Sequence, residues 1–193
     1  MACGSSVVFD WRQTTRTHLA MSIFYFQRLL RYAFAGRPLK KPNPYPTSQA
    51  IDDRCEALCS VKQITIGFQT PTRIKFEGSL TGEPEFHNLI RSLLRRLSAL
   101  SYFHCGRKLD IDFKGLIERA HQIRRTSSDL RWHDWDRYSS RQKQKMTLGG
   151  FLGKATFEGD FREFLPFLTW GEILHIGKAA SFGLGRYSIT PTF

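Results

Sequence analysis

The chain has 193 residues, 41% apolar and 24% charged, which suits a globular protein with one good hydrophobic core or two small ones. Lys and Arg number 29 against 17 Asp and Glu, a net charge of +12 that attracts polyanions from a distance and makes nucleic acid the expected partner. Cysteines at 3, 55, 59 and 105 give one Cys-x3-Cys pair without a second pair or histidine cluster, so neither zinc nor any other cofactor is expected; isolated thiols suit a reducing cytoplasm.

The first apolar stretch, Met21 to Gly36, carries Arg28 and Arg31 near its middle, which makes a membrane span costly. It reads as a helix from about Ser22 to Ala35. Pro38, Pro42, Pro44 and Pro46 follow at a spacing that forbids helix or central strand, so residues 37–60 read as a linker. Ile64, Ile66 and Phe68 alternate with polar neighbours, and Ile74 and Phe76 resume after Thr70-Pro71-Thr72, predicting two β segments. Phe86, Leu89, Ile90, Leu93, Leu94, Leu97 and Leu100 recur at three and four, the apolar stripe of a helix of roughly twenty residues. His87, Arg91 and Arg95 lie on its other face, read as solvated or as a ligand surface.

A shorter helix is expected from Asp112 to Ile123, and the glycines at 149, 150, 153 and 159 suit bent strands. Asp160 with Glu163 resembles a capping box, and Phe164, Phe167, Leu168, Ile173 and Leu174 supply a buried helical face up to Gly177. Arg186 to Thr190 closes the chain as a strand. Strands, helices, strands, helix and strand from residue 61 onward give an α+β fold of the ferredoxin-like sandwich type.

Two segments carry candidate chemistry. The run His175 to Tyr187 holds Gly177, Lys178, Ser181, Phe182, Gly183, Gly185 and Arg186, a loop whose bare backbone amides can approach phosphate oxygens. A P-loop is excluded because the helix precedes this run and Lys178 is followed by alanine; a dinucleotide fingerprint is excluded because the third glycine is missing. A glycine-rich turn into a last strand accounts for the same residues equally well. In the second segment Arg137, Tyr138, Arg141, Gln142, Lys143 and Lys145 cluster, and an extended chain would set Arg141, Lys143 and Lys145 about 6.8 Å apart on one face, near the phosphate step of a single strand. Tyr138 and Trp135 offer flat faces for bases; a solvated hairpin tip with core aromatics is the other reading. His175 is the better placed of the histidines beside these segments for moving the protons of RNA cleavage, although contact with helix carbonyls explains it more simply.

Together the tail His175 to Gly185, the Phe164-Leu165-Pro166-Phe167-Leu168 block, Arg137 to Gln142 and Gly149-Gly150-Phe151-Leu152-Gly153 resemble the C-terminal domain of the CRISPR repeat-cleaving endoribonucleases of the RAMP superfamily, over about residues 60–190. The resemblance implies a ferredoxin-like, RRM-like RAMP domain over 61–193, a helical remnant of a preceding ferredoxin-like domain over 1–36, and the linker 37–60 between them. It also implies CRISPR repeat RNA, as pre-crRNA, for a partner, with subunits of an effector complex as further partners, and metal-independent cutting to a 2′,3′-cyclic phosphate. Members of the family carry their principal catalytic histidine in the first domain, most of which is expected to be absent here; no motif around His18 supports that role.

Overall fold

The computed structural model describes residues 48–106, 108–134, 136–139 and 144–192. The expected helix near 22–35 and the remnant over 1–36 lie outside them. The chain divides into two units, Met1–Ala50 with Ser98–Ile111 and Ile51–Leu97 with Asp112–Phe193. The second of these carries the sheet.

Helix α1, Ser48–Leu58, falls within the stretch read as linker. The four prolines that argued against structure all precede Ser48. Beyond them Ile51 and Leu58, seven residues or two turns apart, are 3% and 2% exposed. Strand β1, Gln63–Thr72, buries Ile64, Ile66 and Phe68 on one face. The interruption expected at Thr70-Pro71-Thr72 is a break in pairing and not in the strand: its register against the next partner shifts between Phe68 and Thr72, and the Gln69 and Thr70 amides both donate to the Arg186 carbonyl. Strands β2, Ile74–Phe76, and β3, Ser79–Thr81, form a hairpin whose turn residues Glu77 and Gly78 both have positive φ, as the natural twist of a two-residue hairpin requires.

Helix α2, Phe86–Cys105, is the expected long element, with Phe86, Leu89, Ile90, Leu93, Leu94 and Leu97 all buried. Helix α3, Phe113–Ala120, starts where the Asp112 carboxylate accepts the Gly115 amide at 2.9 Å and stops three residues before the expected end. Strand β4, Arg124–His133, pairs with β7, Gly150–Glu158; between them β5, Asp136–Ser139, and β6, Gln144–Thr147, continue the same hairpin as a two-stranded arm. Helix α4, Leu165–Leu174, begins at Phe164 without a side-chain cap and with Pro166 in its first turn, where a missing N–H costs nothing. The capping box is not formed: Asp160 instead accepts from Arg162, whose guanidinium holds the Asp160 carboxyl down at about 2, and Glu163 pairs with Arg119 at 2.8 Å. Strand β8, Tyr187–Pro191, closes the sheet.

The sheet order is β4-β7-β1-β8 with every neighbour antiparallel. With α2 joining β1 to β4 and α4 joining β7 to β8, this is the ferredoxin-like arrangement expected from the element order. The core lies between the helices and one sheet face. Phe86 packs its ring edge-on against Phe157, Phe161 and Phe164 at 5.3–5.6 Å, and the Tyr187 hydroxyl donates to the Leu168 carbonyl at 2.6 Å. Gly171 makes that last contact possible, since a Cβ there would stand 2.1 Å from the Tyr187 oxygen.

Candidate nucleic-acid interface

The register places the two basic segments at one end of the sheet. Phe68 lies opposite Tyr187, Thr72 opposite Phe151, and Gly150 opposite His133. From the end these residues mark, the segment entering β8 and the arm β5–β6 both depart. The other end holds Gln63, Glu158 and Arg124.

Charge is distributed unevenly between these ends. At the far end Arg124 pairs with Glu158 at 2.8 Å and Lys62 with Asp160 at 3.9 Å. At the near end Arg131, Lys178 and Arg186, with Lys75 on the adjoining hairpin, enter no ion pair among the described residues. Unpaired cations grouped at one end attract a polyanion there. The open sheet face is a poorer candidate: Gln63, Thr65, Gly67, Lys154, Thr156 and Ser188 fall on it in register, hydroxyls joined at 2.9 Å between Thr65 and Thr156, and it lacks the aromatic platform that bases stack on.

The tail loop is stitched to the end of β1. The Ile176 amide donates to the Gly185 carbonyl at 2.9 Å, Gly185 to Pro71 at 3.1 Å, Lys178 to Arg73 at 2.8 Å, and the Arg186 amide to Thr70 Oγ1 at 2.8 Å. Ala180–Phe182 form a short 3-10 turn whose following amides, Phe182 and Gly183, donate to Ala179 and Ala180. Several of the amides expected to face phosphate, those of Lys178, Phe182, Gly183, Gly185 and Arg186, are therefore used internally; those of Gly177, Ala179, Ala180, Ser181 and Leu184 have no backbone acceptor among the described residues. The glycines differ in purpose. A Cβ on Gly177 would stand 2.4 Å from the Arg73 carbonyl oxygen and one on Gly185 1.8 Å from that of Ile176, whereas Gly183 has nothing within 4 Å. The first two let two backbone segments touch, and only Gly183 opens onto free space.

Lys178, Ser181, Phe182 and Arg186 are exposed on this loop. His175 closes α4 with φ 63 and directs Nδ1 to the Leu184 carbonyl at 3.1 Å. A carbonyl only accepts, so Nδ1 carries the proton and Nε2 of the neutral ring carries the lone pair. Burial pushes the imidazole below its ordinary value; the Leu184 bond opposes this, and the Arg96 and Arg186 guanidiniums push it further down. Arg137 and Tyr138 stand on β5 and Lys145 on β6, with Tyr138 directly opposite Lys145. Arg141, Gln142, Lys143 and Trp135 lie outside the described residues. Of the α2 face read as solvated or as a ligand surface, His87 stacks on His121 at 3.8 Å and Arg91 sits 5.7 Å from the Phe76 ring centre, while Arg95 is exposed and enters no ion pair among the described residues.

Two contributors went unrecognised in the sequence. Arg73 supplies the backbone that receives Lys178 and crowds Gly177. Arg96 of α2 donates from Nε to the Leu174 carbonyl at 2.7 Å, at the foot of the loop. Its signal was present but slight, a cation three residues after Leu93, at the border of the apolar stripe.

The model of one protein family, CRISPR-associated endoribonuclease Cas6, matches residues 66–187. The chain belongs to the Cas6 family. Among solved structures, a Cas6 product complex is similar at TM-score 0.51 and 20% identity, over 79% of this chain and 60% of that one. Thermus thermophilus Cas6 is similar at TM-score 0.55 and 19% identity, over 86% of this chain and 70% of that one. A partial Cas6-RT-Cas1–Cas2 complex matches at TM-score 0.56 and 20% identity, over 83% of this chain and 29% of the other. These likenesses establish a fold shared with Cas6, of which this chain spans 60% of the length in the first case. No curated protein matches the sequence. Among the described residues no helix is long and apolar enough to cross a membrane.

Proposed function

We propose that this chain grips CRISPR repeat RNA at the loop-bearing end of its sheet and works in the metal-independent cutting of pre-crRNA into guides. The observation that supports the reading is the departure of the basic arm and the stitched loop from one sheet end, where Arg131, Lys178 and Arg186 enter no ion pair among the described residues, in a chain of the Cas6 family. Gly177, Lys178, Ser181, Gly183 and Arg186 form the loop contact, with Gly185 holding the loop's shape; Arg137, Tyr138, Arg141, Gln142, Lys143 and Lys145 guide the strand. Phe182, 54% exposed, offers a ring for a base to stack on.

Cutting without a metal needs a base that takes the 2′-hydroxyl proton while the 2′-oxygen attacks phosphorus, and an acid that protonates the departing 5′-oxygen. The P–O5′ bond breaks, leaving a 2′,3′-cyclic phosphate and a 5′-hydroxyl. His175, neutral with a free Nε2, is the acid–base group assigned to this end. Residues 1–36 are assigned to a preceding ferredoxin-like domain, effector-complex subunits are further partners, and the setting is cytoplasmic.

A labelled repeat hairpin incubated with the chain in EDTA tests the reading. Cyclic-phosphate products are the expected result. Tight binding without products would make the chain a non-catalytic RNA-binding RAMP subunit of an effector complex. Absence of any preference for the repeat hairpin over unrelated RNA or acidic lipid vesicles would overturn the proposal.

A further inference from the structure

Arg96 and Arg186 approach the same imidazole from opposite directions in the chain. Arg96 rises from the inner border of α2, half-buried, and is fixed by its Nε bond to the Leu174 carbonyl, one residue before His175. Arg186 follows Gly185, whose carbonyl takes the Ile176 amide, one residue after His175. The ring itself is tied to Leu184. The Arg96 and His175 side chains are thus anchored at the foot of α4 by separate bonds to backbone, and the backbone of Arg186 is held next to them with its side chain exposed. Arg96 and Arg186 are the charged groups whose field reaches His175, and no carboxylate is among them. Among the described residues Arg96 makes one hydrogen bond and no ion pair, so both terminal nitrogens of its guanidinium are uncommitted.

Arg96 is half-buried and has no acid partner among the described residues, which leaves its guanidinium open to an anionic ligand. Its Nε bond also sets the plane of the fork, so the two terminal NH2 groups are oriented before any ligand arrives, the arrangement suited to a phosphate. We propose that Arg96, together with Arg186 and His175, forms a seat for one backbone phosphate of the bound RNA. This rests on the RNA-binding reading above and adds to it a residue from α2. The seat has a second consequence. With its site empty, the two guanidiniums disfavour a proton on Nε2; an anion between them favours it, so occupation takes up a proton and prepares the ring to donate one.

Repeat-RNA binding by the full chain is measured against salt and pH for wild type, Arg96→Gln, Arg96→Lys, Arg186→Gln and His175→Asn. Each lost phosphate contact is expected to lower the slope of log affinity against log salt by about 0.7 to 0.9. Arg96→Gln and Arg186→Gln each show that drop, while Arg96→Lys keeps the wild-type slope. Wild-type affinity rises as pH falls through the histidine range, and His175→Asn abolishes that rise. A role for Arg96 confined to capping α4 would lower the melting temperature of Arg96→Gln and leave its slope unchanged, which would overturn the seat; Arg186→Gln, whose side chain is exposed, tests the same point in a variant whose fold is not at stake. If the wild-type chain shows no preference for repeat RNA, the functional reading fails; if it binds while the Arg variants keep their slope, only the seat fails.

Discussion

Alanine at Gly185 and at Gly183 separates the two purposes of glycine in the tail loop. Gly185 has φ +75, where an alanine costs about 1–2 kcal/mol from its own Cβ. That Cβ would also lie 1.8 Å from the Ile176 carbonyl oxygen and 2.8 Å from its carbon. Backbone cannot rotate aside as a side chain does, so the two segments must part, and the Ile176-to-Gly185 bond at 2.9 Å is lost for about another 1 kcal/mol, with a similar cost for the group left unpaired. The sum is about 3–4 kcal/mol. Gly183, at φ +84 with nothing within 4 Å, incurs the backbone cost alone, about 1–2 kcal/mol. At about 2–4 °C per kcal/mol for a chain of this size, Gly185→Ala lowers the melting temperature by roughly 10 °C and Gly183→Ala by roughly 4 °C. Thermal unfolding followed by circular dichroism, with urea titrations to check that the slope is unchanged, measures both. Equal losses in the two variants, or a Gly185→Ala protein as stable as wild type, would refute the reasoning. Because Gly183→Ala leaves the fold nearly intact, its RNA affinity reports on how closely a phosphate approaches there.

Other expectations follow from the core and from the histidine pair. Phe86→Ala removes a ring that is fully buried and packed against three others, so a loss of about 3–5 kcal/mol is expected in urea unfolding; under 1 kcal/mol would show that the site collapses around the deletion. His87 is held below its ordinary 6.5, first by burial and then by His121 and Arg91. The fold thus favours the neutral ring: its contribution to stability is complete above pH 6.5 and is lost as pH falls through the lowered folded value. A proton NMR titration placing His87 at or above 6.5 would contradict this.

The sequence exposed some elements more fully than others, for physical reasons. Helix α2 was legible because seven apolar residues keep one stripe over about four turns, and β1 because Ile64, Ile66 and Phe68 alternate cleanly. Helix α1 was hidden by the prolines before it and by a stripe thin enough to rest on Ile51 and Leu58. Strand β4 gave almost no signal: it is an edge strand, exposed along most of its length, and Arg124 to His133 contains only Leu130 and Trp132 as large apolar residues. The tail loop was recognisable as glycine-rich, yet composition does not distinguish a glycine that frees an amide from one that lets two backbones touch. That difference depends on the partner each glycine meets in the fold, Ile176 for Gly185 and, from the far side of the domain's sequence, Arg73 for Gly177. Arg96 was missed for a related reason, because a cation beside an apolar stripe looks solvated until the carbonyl it meets is known.

The dependence of the loop on Thr70, Pro71 and Arg73 bears on when the protein becomes competent. Thr70, Pro71 and Arg73 precede the loop they receive by more than a hundred positions, so they stay without those partners until the loop itself has been made. A nascent chain paused before Gly185 therefore lacks the clasp, and the loop takes its fixed shape only once that residue has been made.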